Sequence, residues 1–161
     1  MREMRRKDRA MPEEDARNLL ENGEYGVLST VGEDGLPYGV PLSYVVIEDS
    51  LYFHCAHEGR KVDAVRAHPR VAFTVVGATR PVYAKNFTTY YESVMVSGTA
   101  EEVTGPAAKY EILTALAAKY LPEHMDKADA DITRSLPRTA VYRIRIETLT
   151  GKAKRPRPPT E

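Results

Sequence analysis

The chain has 161 residues, enough for one domain that buries a sizeable core without a staple. Its 23 basic and 23 acidic residues cancel, so no overall field draws nucleic acid or a membrane, although a small anion needs only a local patch. Cys55 is the single cysteine, which excludes an internal disulfide and fits a reducing cytoplasm, and the absence of a long apolar run or a leader-like start reads as a chain with neither membrane span nor secretion signal.

Residues 1–10 read as a basic, flexible segment, 11–150 as a single domain and 151–161 as a Pro-rich basic tail. The first element is a helix over 12–22: proline suits its first position, three acids follow in the first turn, and Gly23 suits its stop. The β-branched run 25–31 predicts a strand, and the Asp34-Gly35 signal turns it into a hairpin with 37–47. Pro37 and Pro41 would block ladder bonds in a central strand, so at least the first half of that partner belongs at an edge or a bulge. A third strand is expected over 51–56, then a short helix over 60–67, ended by His68-Pro69 because a residue before proline leaves the helical region.

A fourth strand spans 70–76. The stretch 78–87 is less regular, and 88–103 reads as a long strand in which Gly98 marks a bulge. Gly105-Pro106 opens a helix to Tyr120, with Ile112, Leu113, Leu116 and Tyr120 at core-facing helical spacing. Residues 122–137 read as a polar connection containing at most one helical turn. The last strand, 139–148, alternates Tyr142, Ile144 and Ile146 against Arg143, Arg145 and Glu147, a half-buried pattern. Short strands, frequent turns and few helices point to a small antiparallel barrel with helices packed outside it.

The chemistry concentrates where the 51–56 strand hands over to the 60–67 helix. Arg60 and Lys61 occupy that helix's first turn, where the macrodipole disfavours each cation by roughly 0.3–1 kcal/mol. A bound anion explains that placement, and Gly59 lets the backbone turn tightly and lets a bulky oxyanion approach, as at a strand–turn–helix phosphate site. The competing reading is a pair of solvated side chains at a helix start. His54-Cys55-Ala56-His57 resembles a metal cluster only in one dimension: side chains alternate along a strand, so His54 and Cys55 point to opposite faces and zinc is disfavoured. Cys55 in an apolar strand is more simply a small core residue than a nucleophile, whereas His54 lies just upstream of the anion site. No dinucleotide, Walker or nucleophile-elbow motif is present.

These residues carry a resemblance. Leu51-Tyr52-Phe53-His54, Gly59-Arg60-Lys61-Val62-Asp63-Ala64-Val65 and Pro69-Arg70-Val71-Ala72-Phe73 resemble the flavin-binding segment of the pyridoxamine 5′-phosphate oxidase-like split-barrel superfamily. Gly35-Leu36-Pro37-Tyr38-Gly39-Val40-Pro41-Leu42-Ser43, Asn86-Phe87-Thr88-Thr89-Tyr90-Tyr91-Glu92-Ser93-Val94 and Thr150-Gly151-Lys152-Ala153 are similar to its nitroimidazole-reductase branch. The resemblance covers about residues 8–154 and implies a six-stranded antiparallel split β-barrel, homodimeric, with FMN in a groove at the subunit interface.

By the same matching Arg60 and Lys61, next to the Gly59 that admits the oxyanion, correspond to flavin-phosphate ligands, the backbone of Leu42, Ser43 and Tyr44 runs beside the isoalloxazine, and His54 sits near the flavin as the candidate catalytic residue, while Ser29 and Thr30 lie on a strand that could also line the groove. No tryptophan is present, so the true oxidase's Trp-containing substrate motif is missing and pyridoxamine phosphate is a poor substrate candidate. Two functions follow from the resemblance. One is a reductase passing electrons from reduced FMN to a small acceptor such as a nitro compound. The other is a non-catalytic module that stores flavin, haem or a deazaflavin. Neither involves nucleic acid, a membrane or a metal site built from clustered side chains, and neither the electron donor nor the physiological acceptor is legible.

Overall fold

The structure, a computed structural model, describes residues 4–83 and 86–156. Seven strands, β1 (Gly26–Val31), β2 (Pro37–Leu42), β3 (Val45–Ile47), β4 (Ser50–Cys55), β5 (Arg70–Tyr83), β6 (Phe87–Glu102) and β7 (Ala140–Lys154), form one antiparallel sheet in the order β2-β1-β5-β6-β7-β4-β3. Helices α1 (Glu13–Asn22), α2 (Arg60–Ala67), α3 (Pro106–Tyr120) and α4 (Met125–Ser135) pack around it.

The topology itself closes the barrel. β2 and β3 are consecutive in the chain yet stand at opposite edges of the sheet, joined only by Ser43 and Tyr44. Two residues reach about 7 Å, so the sheet must curl until its edges meet. No ladder joins β2 to β3 among the described residues, and that seam makes the barrel split. The expectation of six strands is corrected to seven, because the run 37–47 breaks at this junction and serves both edges. Its proline-bearing half, β2, is an edge strand as the sequence required.

The interior follows the period-two pattern. Leu28 of β1, Phe73 and Val75 of β5, Val94 and Val96 of β6, Leu51 and Phe53 of β4 and Ile144 of β7 are fully enclosed. Ala16 and Leu20 of α1, and Val62 and Val65 of α2, complete this core. A second cluster lies outside the barrel, where Ile112, Leu113 and Leu116 of α3 and Ile132 of α4 pack on Val141.

Several boundaries differ from the sequence reading. Residues 125–135, expected to be mostly irregular, form the full helix α4, whose only buried residue is Ile132. β5 continues to Tyr83, with a register shift between Val76 and Thr79 where Gly77 interrupts the run. β7 continues into the segment read as tail: Gly151 is buried, its carbonyl accepts the Met11 N–H at 3.0 Å, and Ala10 bridges to Lys152. The ends expected to be loose thus hold each other at Ala10 and Lys152, Arg155 pairs with Asp15 at 2.9 Å, and residues 157–161 of the predicted tail lie outside the described residues. Gly98 stands at a register shift of the β6–β7 ladder, the bulge its position implied.

Candidate functional site

β4 delivers the chain to Gly59, which caps α2 at φ +119°, a conformation that L side chains rarely adopt. Nothing lies within 4 Å of where a Cβ would be, so the backbone there is open to an approaching ligand. The Gly59 carbonyl accepts the N–H groups of Val62 at 2.8 Å and Asp63 at 3.1 Å, closing the first turn. The N–H groups of Arg60 and Lys61 precede those bonds and have no intrahelical acceptor.

Both cations are present at this helix end. The Arg60 guanidinium lies 4.6 Å from the ring centroid of Tyr38 on β2, and the Lys61 ammonium lies 5.7 Å from that of Phe53 on β4. Among the described residues neither is in an ion pair. Exposed cation–π contacts are worth roughly 0.5–1 kcal/mol, about what the dipole costs each cation, so the rings and the dipole nearly balance and an anion decides. Two cations, free helix N–H groups and an open glycine fit a phosphate.

The far end of α2 is fixed by Glu102, whose carboxylate meets Arg66 at 3.5 Å and accepts the Tyr142 hydroxyl at 3.4 Å. Glu102 also faces the His57 Nδ1 at 3.8 Å, while the His57 Nε2 lies 3.2 Å from the Pro137 carbonyl. His57 is therefore held away from His54, and among the described residues no group of three or more His, Cys, Asp or Glu is placed to hold a metal. Cys55 is half-buried opposite Ala140, and burial pushes its thiol up, against a thiolate nucleophile.

The other candidates divide between the two sides of the sheet. Thr30 is buried beside Tyr38 in the β1–β2 ladder, on the side of Arg60, whereas Ser29 is exposed opposite Gly39 on the outer face. One chain cannot present both to one groove, because neighbours in a strand alternate. Leu42 ends β2 half-buried and Ser43 is exposed. Tyr44 turns inward, its ring edge-on to Phe73 at 4.9 Å and its hydroxyl donating to the Leu20 carbonyl, so only its backbone faces the junction. Its N–H donates to the Tyr120 hydroxyl oxygen at 2.9 Å, and that hydroxyl donates to the Tyr44 carbonyl at 3.0 Å. The Lys119 ammonium sits 3.9 Å from the Tyr44 ring centroid, and burial lowers its affinity for a proton.

His54 is exposed on the face of β4 opposite Leu51 and Phe53, not in the Arg60–Tyr38 cluster. Its connection to the anion site is electrostatic: withdrawal of water, then the Lys61 ammonium, push its imidazole below 6.5. Sequence reasoning missed Tyr38, Lys119 and Tyr120 as neighbours of the site. Tyr38 lies within the motif at 35–43, an aromatic beside its turn, but nothing local announces that Tyr120 meets Tyr44.

A curled antiparallel sheet whose β4–α2 turn presents two cations defines a split barrel with a cationic strand–turn–helix junction. The family model described as pyridoxamine 5′-phosphate oxidase matches residues 12–153, and the chain belongs to that family. No curated protein matches the chain in sequence. Among solved structures, a candidate 5-nitroimidazole antibiotic resistance protein from Bacteroides thetaiotaomicron is similar at 20% identity and TM-score 0.79, covering 89% of this chain and 86% of that one. The flavocytochrome Anf3 from Azotobacter vinelandii is similar at 22% identity and TM-score 0.82, over 99% of this chain and 75% of that one. A FAD-binding protein from Mesorhizobium loti is similar at 25% identity and TM-score 0.64, over 91% and 98%.

Proposed function

We propose that the chain is an FMN-binding flavoprotein that passes electrons from reduced flavin to a small acceptor such as a nitro compound. The observation that carries the reading is the placement of Arg60 and Lys61, without ion-pair partners among the described residues, at the open N-terminus of α2. Arg60, Lys61 and the first N–H groups of α2 hold the phosphate, with Gly59 leaving room for its oxygens. The Leu42–Ser43–Tyr44 backbone lies farther along the strand that carries Tyr38 and orients the ring system. Bound flavin would supply the redox chemistry, which no side chain of this protein provides. His54, whose imidazole is pushed below 6.5 by withdrawal of water and by the Lys61 ammonium, is the candidate to exchange a proton with the bound flavin, from the face of β4 opposite Phe53.

Two similar folds, a flavocytochrome and a FAD-binding protein, support a flavin in such a barrel. The flavocytochrome also favours, as a second reading, a module that holds flavin, haem or a deazaflavin without turning over an acceptor. A homodimer with the cofactor at its interface, in the cytoplasm, completes the proposal. No described helix is long and apolar enough to cross a membrane.

Titrating FMN and riboflavin against wild type and Arg60→Ala tests the phosphate assignment. A charge-assisted hydrogen bond is worth about 1.5–3 kcal/mol, so the variant should weaken FMN about tenfold or more and leave riboflavin nearly unchanged. Equal affinity of wild type for the two flavins overturns the assignment. Oxidation of the reduced, FMN-loaded protein by a nitro acceptor separates the reductase from the storage module.

A further inference from the structure

The junction between β2 and β3 is held by a residue 76 positions away in sequence. The β1–β2 ladder ends at Leu42 and the β3–β4 ladder begins at Val45, so Tyr44 has left one ladder and not entered the next. A buried backbone N–H and C=O need partners. One phenol supplies both: the Tyr120 oxygen accepts the Tyr44 N–H at 2.9 Å, and the Tyr120 hydroxyl donates to the Tyr44 carbonyl at 3.0 Å. The preceding residue covers the same tyrosine, with the Lys119 ammonium 3.9 Å from the Tyr44 ring centroid. The last turn of α3 thus grips Tyr44 by backbone and by ring.

Ser43 is what that grip leaves outside. Leu42 is fixed by its pairing with Gly26 and Tyr44 by Tyr120, while Ser43 between them is exposed and, among the described residues, makes no hydrogen bond. A polar peptide pinned on both sides and unpaired in the middle is a preorganised edge for a planar ligand with donors and acceptors along its rim. We infer that Tyr120 is a positioning residue for the flavin ring, acting through the Ser43–Tyr44 backbone. This rests on the proposed flavin reading and adds to it a residue from a helix that the phosphate site does not use.

The grip acts at the ring, so its loss must be felt equally by flavins with and without a phosphate. Tyr120→Phe removes the hydroxyl and keeps the ring packing. FMN and riboflavin affinities should fall together, about tenfold, the size of losing a hydrogen-bonded anchor, and the visible absorption of the bound flavin should move toward that of free flavin. Ser43→Gly, an exposed change that loosens the same peptide while sparing the Tyr120 bonds, should give the same parallel loss and carries the test if Tyr120→Phe does not fold. Wild-type affinities and an unshifted spectrum in the folded variants overturn the inference, as does a loss confined to FMN, which would assign the effect to the phosphate end. A wild-type chain that binds neither flavin overturns the flavin reading and this inference with it.

Discussion

A proton on His54 is opposed twice, by the water its surroundings withdraw and by the Lys61 ammonium. In the ligand-free protein its ring should therefore titrate below 6.5, as followed by NMR of the imidazole protons, and Lys61→Met should move the midpoint upward. Adding FMN should move it the same way, since a phosphate beside Lys61 cancels the repulsion. The sign for stability follows from which state holds the proton. Between the depressed midpoint and 6.5 the unfolded chain is protonated and the folded chain is not, so the contribution of this group to stability rises with pH through that window. An unchanged midpoint in Lys61→Met would separate His54 from the anion site and weaken its candidacy as the group beside the flavin. Alternation alone put His54 and Cys55 on opposite faces, and the structure agrees, but which face looked toward Arg60 depended on how α2 folds back and was not legible.

Among the elements, the β6–β7 pair shows how a local rule can carry a long-range consequence. Gly98 sits at the register shift, and a Cβ there would stand 2.0 Å from the Arg145 carbonyl oxygen, a backbone atom that cannot swing aside. Gly98→Ala should destabilise the fold by about 1–3 kcal/mol, as overpacking does, measured as a lower denaturant midpoint with the slope unchanged. A variant as stable as wild type would mean that the bulge relaxes freely. This glycine was readable because its signal is local, and so were the bounds of α2, fixed by Gly59 before it and Pro69 after it. What the sequence hid was decided elsewhere in the chain. The β2–β3 break is met by the distant Tyr120, which bonds the Tyr44 backbone, and α4 carries one buried residue, Ile132, too few for a helical stripe to stand out from a polar linker. Arg60 and Lys61 stood out as a site because two cations in one first turn oppose the dipole, whereas Tyr38 acquires its role only when β2 is brought against that helix.

At the scale of the whole molecule, the outer face of the sheet carries an uncharged patch over β1, β5 and β6, between charged residues such as Arg70 and Lys152. Ser29 pairs with Ala72, Thr74 with Met95, and Val76 extends the same uncharged surface, with Val76 60% and Met95 50% exposed. Val31, on the same face of β1, is exposed as well. A β surface with apolar residues at its centre and no charge among these positions is suited to a self-complementary partner, and a two-fold axis needs only one such patch per chain. It adjoins β2, whose prolines block strand addition at that edge, so a second copy would dock by its face and not extend the sheet. The chain should therefore sediment at micromolar concentration as a species of twice its 18.0 kDa. Met95→Glu, which places a carboxylate at the centre of the face without disturbing an enclosed side chain, should return it to the monomer and, under the proposed placement of FMN between subunits, weaken FMN as well. A wild type that sediments only as a monomer, with and without FMN, rules out the homodimer; a Met95→Glu variant that remains dimeric would move the interface to another face of the barrel.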